Sequence, residues 1–82
     1  MSGVSEENAL AAEEHAIASQ KQAKYTKETG KLLQKLGEPQ STHGELIEKY
    51  GKAAQKHADA SLKHSQAARK HNENSKEEFI KA

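Results

Sequence analysis

Small and apolar residues recur in this chain every seven positions, in two long stretches separated by one break. With heptad positions written a to g and Ala9 placed at a, column a holds Ala9, Ala16, Ala23 and Gly30, then Gly51, Ala58, Ser65, Asn72 and Phe79. Column d holds Ala12, Ser19, Thr26 and Leu33, then Ile47, Ala54, Ser61, Ala68 and Ser75. Two marked columns in a period of seven are the signature of helices packed along a shared stripe. A coiled coil ordinarily sets large aliphatic knobs in these columns, so small ones predict helices that approach unusually closely, backbone near backbone. Column c widens the stripe with Ala11, Ala18, Tyr25 and Leu32, then Leu46, Ala53, Ala60 and Ala67. At about 100° per residue, columns c, g, d and a lie side by side over roughly 160°, more than a single partner helix covers. Lys49, Lys56, Lys63 and Lys70 occupy column f on the opposite side, where a solvated face belongs.

The break falls at Gly37-Glu38-Pro39-Gln40-Ser41. Proline has no amide donor and drives the preceding residue away from helical dihedrals, while Gly37 suits the left-handed residue that closes a helix. Thr42 and Glu45 have capping-box spacing, and Ser5 followed by Glu6 and Glu7 marks an earlier start. The chain therefore reads as one helical-hairpin domain over residues 1–82, with helices at about 5–36 and 42–80 and a turn at 37–41. Each helix is on the order of 50 Å long, and so short a connection makes them antiparallel neighbours. Residues whose numbers sum to about 79 then lie at one level. Leu33, Leu36, Leu46 and Ile47 gather at the turn end to pin the hairpin, and Phe79 and Ile80 cover the open end.

Composition decides how such a hairpin must be held. Leu, Ile, Val and Phe together make up only 11 of the 82 residues, against thirteen alanines, one proline and no tryptophan. A β-sandwich or α/β domain is excluded, and a lone two-helix hairpin has too few large apolar groups to offset the ordering of its chain. Two hairpins joined as a four-helix bundle would cover the wide stripe, so the expectation is a homodimer. With no cysteine there is no disulfide framework or thiolate site. No apolar run spans a membrane, and the acidic, alanine-rich start lacks the order of a secretory signal, so the chain is expected to be cytoplasmic. Thirteen basic residues against twelve acidic ones leave the net charge at +1.

Five histidines are many for this length. His57, His64 and His71 follow Tyr50 at intervals of seven in column g, His15 holds the same column in the first helix, and His43 sits beside the cap. Residues seven apart stand about 10.5 Å apart along a helix, so no single-helix chelate exists. Ligands would have to converge across helices, and the expected register sets His15 opposite His64. That pair, doubled in a dimer, defines a candidate transition-metal or haem site. Packing or lining of the stripe's edge is the simpler reading of the same line, because imidazole and phenol rings fill space left by small neighbours. A pH-sensing role is the third reading.

Nothing catalytic emerges. Adjacent carboxylates such as Glu13-Glu14 diverge by about 100° on a helix, Glu-x-x-His does not occur, and no glycine-rich phosphate loop is present. Lys49, Lys52, Lys56, Lys63, Arg69 and Lys70, opposed within that stretch only by Asp59, define a candidate phosphate-backbone contact. A single arginine and few aromatics leave base stacking poorly supplied. Gly30, Gly37, Gly44 and Gly51 repeat every seven residues around the turn and predict close helix approach with capping. The reading as a whole is a non-enzymatic self-associating or partner-binding module, with Tyr25, Tyr50, His57, His64 and His71 as contact residues along the c and g edges.

Overall fold

Alanine, glutamate, lysine and glutamine favour helix strongly enough, without large side chains, to carry two unbroken helices through most of this sequence. A computed structural model describes residues 2–81, with side chains from Glu6 to Asn74. Helix α1 runs over Ser2–Gln34 and helix α2 over Gln40–Lys81. They pack antiparallel as a rod 66 Å long and 15 by 11 Å in section. Among the described residues neither helix is long and apolar enough to cross a membrane. Phe79 and Ile80, expected at the open end, lie outside the described side chains.

The expected helix limits shift by two or three residues, for a local reason. The amides of Lys35 and Leu36 bond three residues back, to Leu32 and Leu33 at 3.1 Å each, so α1 tightens and ends at Gln34 instead of Leu36. Gly37 follows with φ of +81°, the left-handed conformation that an unbranched backbone adopts without penalty. The Glu38–Pro39 bond is cis. The amides of Ser41 and His43 bond the carbonyls of Gly37 and Pro39, so α2 starts at Gln40 and not at Thr42. Thr42 consequently lies inside the first turn, where its hydroxyl donates to Glu38 Oε2 at 2.6 Å in place of forming a capping box with Glu45. Ser5 likewise lies inside α1, since that helix is already under way at Ser2.

The interior is column a. Ala9, Ala16, Ala23 and Gly30 of α1 and Gly44, Gly51, Ala58 and Ser65 of α2 are buried, and among the described side chains no larger residue is. The glycines mark the closest approach. A methyl group on Gly44 would stand 2.5 Å from the Gly30 carbonyl oxygen, and one on Gly51 would stand 2.6 Å from the Lys27 nitrogen. Backbone therefore meets backbone, as the small-residue columns predict.

Column d flanks this line on one side, with Ser19, Thr26, Leu33, Ile47, Ala54 and Ser61 half-buried. Leu33 and Ile47 thus pin the turn end as expected, but Leu36 and Leu46 do not. They are 68% and 61% exposed, because c and g lie beyond the reach of the opposite helix.

Candidate interaction face

Column e flanks the seam on the other side, and its residues reach across from helix to helix. Arg69 Nη1 donates to Glu13 Oε2 at 2.6 Å, Lys27 Nζ to Gln55 Oε1 at 3.2 Å, and Gln34 Nε2 to Glu48 Oε1 at 2.7 Å. Gln20 Nε2 donates to Asp59 Oδ1 at 2.7 Å beside them. The amide of Gln34, with Lys52 at 3.0 Å, holds the Glu48 carboxyl below the usual carboxylate range. Three of the four bonds join residues whose numbers sum to 82, so the polar ladder repeats with the heptad and sets the register. Column e carries neither a series of small residues nor a run of one charge, so neither pattern marks it in the sequence. The signal was present in Glu13, Gln20, Lys27 and Gln34, polar residues seven apart and matched across the turn by Glu48, Gln55 and Arg69.

The opposite long face is of another kind. Columns d and g of both helices meet there along a shallow groove. One stretch is lined by Ser19, Thr26, Ala54, Tyr50 and His57, and the next by Ala12, His15, Ser61, His57 and His64. A further stretch toward the open end adds Asn8, Ala68 and Asn72. The hydroxyls of Ser19, Thr26 and Ser61 donate to the carbonyls of His15, Gln22 and His57 at 2.8, 3.0 and 2.9 Å, each within its own helix. Those donors are thereby satisfied locally and are not presented to a ligand. At the turn end the face carries Tyr25, Leu32, Leu36, Leu46 and Tyr50, exposed by 61 to 74%. From residue 4 to residue 75, no Asp, Glu, Lys or Arg of either helix falls in columns a, c, d or g.

His15 and His64 line the same stretch of groove, with His57 beside them. Among the described residues no three or more His, Asp or Glu come together closely enough to hold a metal ion. His43, expected beside a cap, lies one heptad before Tyr50 within α2 and so belongs to the histidine line. All five histidines are exposed.

The six basic candidates do not form one patch. Lys49, Lys56, Lys63 and Lys70 are exposed in a line along the outer side of α2. Lys52 is paired with Glu48, and Arg69 is turned into the seam against Glu13, which raises the guanidinium's hold on its proton.

No protein-family model, curated protein or solved structure matches this chain.

Proposed function

We propose that this chain is a self-associating helical module in which two hairpins pack through the uncharged c, g and d face to form a four-helix bundle. The observation that carries this reading is the division of side chains by size. Every buried residue among those described is Ala, Gly or Ser, while five of the seven exposed large apolar side chains, Tyr25, Leu32, Leu36, Leu46 and Tyr50, fall in columns c and g near the turn, Leu10 and Ile17 falling in column b. Covering each of those large groups recovers about 1.5–3 kcal/mol, more than any buried alanine of the seam supplies.

A second copy is the occupant this face suits. A face without fixed charge does not repel its own image, whereas an acidic or basic partner would find no counter-charge on it. Its dimensions, 66 by 15 Å, give about 1,000 Å² per copy and about 2,000 Å² in all, at the upper end of a standard stable interface.

Sedimentation of the full chain at micromolar concentration and pH 8 tests this. The expected species has twice the 9.0 kDa chain mass. The double variant Leu32→Asp/Leu46→Asp should sediment as a monomer with helical circular dichroism retained. A folded wild-type monomer would overturn the reading.

A further inference from the structure

On the self-association reading, the chemistry of the proposed interface implies a control over it. Within columns a, c, d and g from residue 4 to residue 75, the only side chains that change charge between pH 5 and 8 are histidines. Tyr25 and Tyr50 are the other ionisable side chains on the face. The helical neighbours of the histidines are equally bare. At three and four residues to either side, His15, His57 and His64 meet only Ala and Ser, and across the groove they meet Ser61, Ser65 and one another. The nearest fixed charges lie in column f, beyond c: the cations Lys56 and Lys63 next to His57 and His64, and the carboxylate Glu14 next to His15. The acids that face the opposite helix, Glu13, Glu48 and Asp59, bond across the other long face. An imidazolium at His57 or His64 buried on this face would therefore meet lysine before any carboxylate, and only His15 has an acid, Glu14, in that position.

The orientation of the second copy brings these groups together. Residues 20–59, the half next to the turn, carry eight Lys against five Asp and Glu, whereas residues 6–19 and 60–73 carry three Lys and Arg against five Glu. Opposite net charges favour the turn end of one hairpin against the open end of the other. That arrangement also sets the exposed Leu and Tyr of one copy over the alanines of the second, large against small. The two-fold axis then crosses the rod near Ala18 and Ser61, the midpoint of α1 and its level on α2. His15 and His64 of each copy come opposite His57 of the other, at the centre of the interface.

We propose that assembly is proton-dependent: this histidine cluster lets two hairpins pair when neutral and drives them apart when protonated. The sign follows from linkage. A free hairpin leaves its histidines exposed to water, where the charged form is solvated, while a pair that buries them favours the neutral form. Association is therefore complete at the alkaline end of the histidine range and is lost as pH falls through that range. Each histidine that must stay neutral weakens association about tenfold per pH unit once the free chain favours its protonated form.

The test is sedimentation equilibrium of the full chain in EDTA at pH 8.0 and 5.5, with circular dichroism at each pH. The triple variant His15→Gln/His57→Gln/His64→Gln is run beside it. The expected result is a wild-type Kd at least about a hundredfold weaker at pH 5.5, with the triple variant dimeric at both. A wild-type dimer at pH 8.0 that persists at 5.5 overturns the proton dependence alone. Equal weakening of the triple variant also overturns it, since groups outside this cluster would then be responsible. A wild-type monomer at pH 8.0 overturns the underlying self-association, and this inference with it.

Discussion

On one long face of the hairpin, glutamate, glutamine, lysine and arginine side chains bridge the two helices at 2.6 to 3.2 Å; on the other, the same two helices present alanines, histidines, tyrosines and leucines without a fixed charge. Both faces flank the same line of buried Ala, Gly and Ser, so the seam itself does not distinguish them. The difference separates two tasks. Directional bonds on the e side select which residue stands opposite which, because a shift of one residue would unpair the whole ladder. Apolar contact on the d and g side is non-directional and gains free energy only when something covers it. A rod with both faces zipped would be inert, and one with both faces bare would have no defined register.

The comparison breaks most severely if the shared seam is forced apart. Gly44→Val sets a branched Cβ 2.5 Å from the Gly30 carbonyl oxygen, and this is expected to cost about 3 kcal/mol and lower the thermal midpoint of the whole hairpin. An unchanged melt would show that close backbone approach is not what joins the helices. A charge on the bare face tests the other half. On the proposed pairing, Ala60→Glu is expected to leave the hairpin's helicity intact and to weaken association about a hundredfold in sedimentation, while Lys56→Glu on the outer side should not weaken it. Equal effects of the two would erase the distinction between faces.

Smaller effects sharpen the picture. Gly37→Ala strains a backbone with φ of +81° but meets no atom within 4 Å, so a loss of about 1 kcal/mol from strain alone is expected in chemical denaturation. Arg69→Met removes one rung of the ladder and should lower the midpoint by a few degrees at low salt, and by less at high salt. Glu48 gives a pH signature on the same side. Its carboxyl lies lower in the folded hairpin than in the unfolded chain, so its contribution is complete above the ordinary glutamate range and disappears as pH falls through the lowered value. Melting followed between pH 5 and 3 should therefore fall less steeply in Glu48→Gln than in the wild type.

Much of this arrangement was written in the spacing of residues. Two helices, a turn closed by Gly37, a seam of Ala9 to Gly30 against Gly51 to Ser65, and solvated lysines in column f all follow from periodicity and turn chemistry. The level of His15 with His64 follows as well, because a short turn leaves little freedom in an antiparallel pair. What escaped was side-chain reach. Arg69 reads in the sequence as one more cation of a basic helix, and only its position beside Glu13 shows it to be part of the seam. Thr42 reads as a cap, but the bonds from Gly37 and Pro39 start the helix earlier and give its hydroxyl to Glu38.

Periodicity places a residue on a face, since the angle between successive side chains on a helix is set by backbone geometry. It does not decide which of two neighbouring columns turns toward the partner. Columns d and e both flank a, and the spacing of small residues joined d to a in the packed stripe. The tertiary structure centred it on a, because the glycines and alanines there permit the nearest backbone approach and long polar side chains in e can stretch back across the gap. That rotation of the helices is what left the leucines, tyrosines and histidines outside.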